Sequence, residues 1–259
     1  MWWQTWAPDP VLLSLSSWQI RWYGLLVAIA VGAAYTLTRY LSKKTFNPVI
    51  WQDCLLWVVI SGFIGARLLH VALEWSYYVS APEQILQVWQ GGLAIHGGLI
   101  GGAIGLYLFA RRRGLSFISL AAAIVPGVAL AQAIGRWGNY FNQELYGLQT
   151  TGWWGIYIEP WLRVTGYESF PTFHPVFLYE SLALIALALL LWKLYDRLSP
   201  IKLVAAYLIG YGLIRFLVEF WRIDQQHIFI GLRFAQWESV VLGILGIVIF
   251  LRDQYLAKR

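Results

Sequence analysis

Charge is scarce in this chain. Only 12% of its 259 residues are Asp, Glu, Lys or Arg, about half the share of a soluble domain. Its 19 basic and 13 acidic side chains cannot cover the surface of a water-soluble globule of this length. Cysteine is nearly absent, and the single Cys54 excludes an internal disulfide. Of four histidines, His70 has a carboxylate, Glu74, one helical turn away. Arg67 stands beside that pair, so no metal-ligand set is expected, and no cofactor. The net charge of +6 comes without any run of bases interleaved with solvated aromatics, which argues against a nucleic-acid partner. The opening MWWQTWAPDP lacks a basic region leading into an apolar one, so a cleavable leader is not expected.

What the chain has in excess is apolar and aromatic surface: 59% hydrophobic residues, 17% aromatics and 16 Trp. Rings of this kind collect where lipid meets water. A span needs about 20 mostly apolar residues. Seven stretches qualify, roughly Trp18 to Thr38, Ile50 to Leu73, Leu93 to Ala110, Phe117 to Trp137, Pro175 to Trp192, Leu203 to Trp221 and Trp237 to Leu251. The expected fold is therefore an all-α integral membrane protein, one seven-span domain over residues 1–259. Lys and Arg fix its orientation, because basic loops stay in the cytoplasm. Arg39, Lys43, Lys44, Arg111, Arg112, Arg113, Lys193, Arg197, Lys202, Arg252, Lys258 and Arg259 follow the odd-numbered spans, twelve of nineteen. Arg21, Arg163, Arg222 and Arg233 fall on the other side. This places the N-terminus outside and the C-terminus in the cytoplasm. The one long connection, about residues 138–174, is then an outer-side segment, and its aromatic content predicts order.

Ionisable groups inside spans are costly, so their positions carry information. His96, Arg136, Asn139, Glu180 and Tyr23 all fall toward the outer ends of their helices. Arg215 lies seven residues before Arg222, roughly 10 Å below the outer end of the sixth span. Tyr211, Arg215 and Glu219 recur every four residues and share one face, as Arg67, His70 and Glu74 do in the second span. The first set reads as a site or an internal ion pair, the second as structural. From Gly135 to Gly147 the string GRWGNYFNQELYG sets Arg136 and Asn139 on one face between glycines. An Arg fork there suits a phosphate. Gly97, Gly101 and Gly105 make a smooth packing surface beside His96, a side chain that titrates near neutrality.

Together with HGG (96–98), HPVFLYE (174–180), YGLIRFLVEFWR (211–222) and Tyr23 in IRWYG, that string makes the whole chain resemble the bacterial prolipoprotein diacylglyceryl transferases. Tyr140, where Phe is usual, and the IDQQ tail after Arg222 depart from the pattern. The resemblance implies a multi-pass enzyme of the bacterial inner membrane with its site toward the outer leaflet. It would move the diacylglyceryl group of phosphatidylglycerol onto the lipobox Cys thiol of a prolipoprotein signal peptide, releasing glycerol phosphate. His96 is then the candidate base, with Arg136 and Arg215 as the cations that meet the leaving phosphate. Tyr23, Asn139 and Tyr211 would fix the headgroup, Asn142 and Gly147 complete the binding set, and Glu144 and Glu180 hold the arginines. A seven-helix lipid transporter or receptor is the alternative.

Overall fold

The computed structural model describes residues 1–15, 18–224, 226 and 228–256. Lys258 and Arg259 of the last basic cluster, and Gln225 of the IDQQ tail, lie outside the described residues. Among the described residues eight α-helices run in chain order: α1 Trp22–Leu41, α2 Ile50–Leu73, α3 Trp75–Ser80, α4 Ile95–Arg112, α5 Phe117–Phe141, α6 Val176–Leu194, α7 Pro200–Val218 and α8 Phe234–Leu256. The described residues also form three two-stranded antiparallel ribbons: β1 Val11–Leu15 with β2 Trp18–Arg21 before α1, β3 Ile156–Tyr157 with β4 Thr172–Phe173 between α5 and α6, and β5 Ile228–Phe229 with β6 Leu232–Arg233 between α7 and α8.

Among the described residues six helices, all but α3 and α4, are long and apolar enough to cross a membrane. Leu56, Ile60, Phe63 and Leu68 on α2, and Val241, Ile244 and Val248 on α8, are exposed, as lipid-facing side chains are. The protein is thus a multi-pass membrane protein. α4 falls short of the other six: its 18 residues include five glycines, His96 and two arginines, and at about 1.5 Å per residue they reach roughly 27 Å. Two expected boundaries are corrected. The chain is extended from Trp18 to Arg21, pairing with β1, so α1 begins only at Trp22. α5 continues past Trp137 to Phe141, where Phe141 stacks on Trp22 with ring centroids 4.6 Å apart.

The chain divides into two compact units, residues 1–38 with 122–259, and residues 39–121. In the first, small residues of α5 (Ala122, Ala129, Ala133) face Leu184, Leu187 and Leu191 of α6 and Leu203 of α7. Ser181 ties α6 to α5 by donating to the Ala133 carbonyl at 2.9 Å. A second core of Tyr146, Ile156, Ile158, Phe173, Phe177 and Ile223 orders the long connection. Tyr146 is its pivot, donating to the Leu162 carbonyl (2.8 Å) and accepting from the Val164 amide (2.7 Å).

The second unit is built on a glycine face. Gly62 and Gly65 of α2 meet Gly97, Gly98 and Gly101 of α4, and a Cβ on Gly65 or Gly97 would collide with the opposite backbone. Close approach of bare backbones is how small residues join helices in lipid. Asp53 and Arg113 form an ion pair at the far end of the same helix pair.

Candidate active site

On α5 and α6, Arg136 Nη2 lies 2.7 Å from Glu180 Oε1. Glu180 is 1% exposed, whereas the Arg136 side chain keeps 21% of its surface. A buried carboxylate must be paired, and Glu180 therefore fixes one nitrogen of the fork. Among the described residues Arg136 makes no other polar contact, and the remaining donors of its guanidinium stay available.

On α7, Arg215 Nη1 lies 2.6 Å from Glu219 Oε2, one helical turn on. Glu219 is equally buried and serves two further cations, Arg222 at 3.8 Å and Arg233 at 3.3 Å. Arg222 in turn donates to Asp224 at 2.7 Å, and Gln226 donates to the other oxygen of that carboxylate. Burial pushes the Asp224 pKa up. The bond to Arg222 and its charge, with the Gln226 and backbone bonds, outweigh this and hold the carboxyl below its usual range. Tyr211, stacked on Tyr207, lies within electrostatic reach of Arg136, Glu180, Arg215 and Glu238. The Arg136 pair and the Arg215 network thus converge on one phenol, between α5, α6, α7 and α8. Sequence reasoning did not single out Arg233, because a hairpin separates it from Glu219.

The expected pairing of Glu144 with an arginine is corrected. Its Oε1 accepts from the side-chain amides of Asn139 (2.9 Å) and Asn142 (3.2 Å) instead. The turn that allows this puts Gln143 and Leu145 at φ of 52° and 55°, a left-handed conformation that non-glycine residues adopt at a cost. Buried Gln143 repays part of that cost by accepting from the Glu159 amide at 2.8 Å. Beside the turn opens a cleft of about 610 Å³, whose walls include Asp9, Arg21, Asn142, Glu144, Glu159 and Trp161.

Tyr23 is exposed at the start of α1, its ring against Gly138 of α5, where a Cβ would strike it. Gly147 sits at a backbone crossing. Its N–H donates to the His174 carbonyl at 2.9 Å, it bridges to Arg222, and a Cβ there would stand 2.7 Å from the Trp221 carbonyl oxygen. His174 Nδ1 lies 2.9 Å from the Tyr179 hydroxyl, and burial lowers the imidazole pKa.

In the other unit, His96 is the second residue of α4 and is exposed. The Arg67 face is held by main-chain contacts. Arg67 is 8% exposed and turns to backbone rather than to Glu74. It donates to the carbonyls of Gln84 (2.5 Å), Ile85 (2.8 Å), Gly91 (2.8 Å) and Gly92 (2.8 Å). These bonds fasten the loop that leads into α4, where Ala94 N–H also donates to the Ala66 carbonyl at 3.0 Å. Among the described residues no group of three or more His, Cys, Asp or Glu is placed to hold a metal ion.

A family model described as prolipoprotein diacylglyceryl transferase matches residues 10–252. A protein of Synechococcus elongatus is 43% identical over 254 residues, covering 93% of this chain and 87% of its own. One of Synechocystis is 40% identical over 249 residues with the same coverage. One of Gloeobacter violaceus is 35% identical over 250 residues, covering 93% and 92%. All three are named phosphatidylglycerol–prolipoprotein diacylglyceryl transferases.

Proposed function

The chain belongs to the prolipoprotein diacylglyceryl transferase family, and from that premise we propose how its residues carry out the transfer. The enzyme moves the diacylglyceryl group of phosphatidylglycerol to prolipoprotein, which disfavours the transporter and receptor readings. In our reading the acceptor is the lipobox Cys thiol of the signal peptide. Its sulfur forms a bond to the sp³ carbon of the lipid glycerol as the C–O bond to phosphate breaks. The electron pair leaves with the phosphate oxygen, and the product is a thioether plus glycerol phosphate.

Each demand of that reaction has a residue. A free Cys of pKa ~8.5 is only a few per cent thiolate at neutral pH, and exposed His96 is the proposed acceptor of its proton. The leaving phosphate gains negative charge, which preorganised cations stabilise most in the transition state. Arg136 and Arg215 are assigned that task. The single observation that carries this assignment is their partial pairing, among the described residues one carboxylate contact each with donors left over. Glu180 and Glu219 orient the two guanidiniums. Tyr23, Tyr211 and the Asn139–Asn142–Glu144 turn are assigned the lipid headgroup, with Gly147 acting through the backbone crossing that holds the turn in place.

We further read the chain as one seven-span domain, with α4 the remaining span. The N-terminus and the 138–174 segment lie outside and the site faces the outer leaflet of the bacterial inner membrane. The basic clusters support this orientation. A cysteine placed near Arg112 should then be labelled only from the cytoplasmic side and one near Gly152 only from outside, and labelling of both from one face would overturn it. The transfer itself is tested with purified protein, phosphatidylglycerol and a lipobox peptide. The peptide should gain the mass of one diacylglyceryl group, and an unchanged peptide mass would refute the reading.

A further inference from the structure

Glu219 is one carboxylate facing three guanidiniums, those of Arg215, Arg222 and Arg233. Among the described residues, Asp224 is the second carboxylate in ion-pair contact with this set, through Arg222. Arg215 and Arg222 are therefore balanced by Glu219 and Asp224, and Arg233 is the cation in excess. We propose that Arg233 is a positioning residue for the transfer, holding Glu219 by its second oxygen and leaving Arg215 the surplus positive charge that a departing phosphate needs. The inference rests on the reading of Arg215 as a phosphate-facing cation.

An Arg–Glu pair isolated in lipid is close to neutral and has little left to offer an anion. Glu219 avoids that state because its two oxygens are divided, Oε2 toward Arg215 and Oε1 toward Arg233. Arg233 is well anchored for the task. It ends the β5–β6 hairpin, whose turn places Ile230 and Gly231 at φ of 48° and 74°. Its backbone N–H donates to Gln236 Oε1 at 3.0 Å, and Trp237 Nε1–H donates to the Phe229 carbonyl at 2.8 Å. Both bonds pin the hairpin to the first turn of α8.

The phosphodiester of the lipid carries one negative charge, and the phosphate gains more as the C–O bond breaks. A surplus cation should therefore act on kcat more than on KM. Transfer kinetics of Arg233→Gln should show kcat lower by on the order of 10- to 30-fold, with KM for phosphatidylglycerol within about twofold of wild type. Arg233→Lys should recover most of the loss, since a point charge suffices at a contact that is not bidentate. Adding Asp224→Asn to Arg233→Gln restores the excess of one cation and should raise kcat again by at least about threefold. A wild-type kcat in Arg233→Gln would overturn the proposal. So would a loss that neither Arg233→Lys nor Asp224→Asn repairs, because that marks a packing role. Arg215→Gln is the reference: if it too keeps wild-type kcat, the phosphate reading of Arg215 fails and this inference falls with it.

Discussion

Arg67 and Arg136 are both arginines within membrane helices, and they are satisfied in opposite ways. Four neutral carbonyls take four bonds from the five donor N–H groups of Arg67. Arg136 has one contact, a carboxylate, and a fifth of its side chain is uncovered. Arg215 resembles Arg136, with one polar contact among the described residues, to Glu219. A guanidinium with four of its five donors engaged holds structure together, as Arg67 does for the 84–92 loop. One held at a single point, with its charge oriented by a buried acid, is preorganised for a ligand. Counting used donors separates two arginines that hydropathy alone treats alike.

The largest effect should come from removing the open fork. Arg136→Gln keeps a polar contact for Glu180 but no cation, so transfer should fall by about 10³-fold or more. Far-UV dichroism and thermal unfolding should stay close to wild type, and a folded Arg136→Gln enzyme with normal turnover would erase the distinction between the two arginines.

Next in size is His96. If it takes the thiol proton, His96→Gln should cost at least about 10²-fold in kcat at neutral pH while peptide binding survives. The rate should then recover in part as pH rises toward ~8.5, where solvent ionises more of the thiol. Near-normal turnover of His96→Gln at neutral pH would move the base elsewhere.

The helices were legible in the sequence because an apolar run of span length has few alternatives in lipid. All seven expected stretches contain a long helix, although α4 is less apolar than the rest. Their ends were less legible. Trp18 to Arg21 adjoin the apolar run and were counted with it, although Gln19 and Arg21 are polar, and β1 captures them by pairing, a decision taken by residues upstream. Within the site, Arg136, Glu180, Arg215 and Glu219 could be found because a charge in lipid demands a partner at helical spacing or on a neighbouring helix. Glu144 was misassigned because an amide can satisfy a carboxylate as an arginine can, and spacing does not distinguish them. Arg67 was read as structural, but its partners were not legible, because they are main-chain carbonyls, which every residue has and no pattern marks. Arg233 stayed hidden because its carboxylate lies 14 residues away across a hairpin.

The smallest effect on catalysis should be at Arg67. Arg67→Lys leaves some of the four carbonyls without a donor, at about 1–3 kcal/mol for each buried group. The melting temperature should drop by several degrees, while turnover per folded molecule stays within about threefold of wild type. A tenfold fall in turnover without a change in melting temperature would place Arg67 in the reaction after all.

The most direct measurement is single-turnover transfer from phosphatidylglycerol to a lipobox peptide by Arg136→Lys protein, followed by peptide mass. Lysine keeps the charge beside Glu180 but loses the planar two-point geometry. A phosphate gripped by the Arg136 fork predicts a folded enzyme slowed by at least about 10²-fold, whereas wild-type turnover would contradict it.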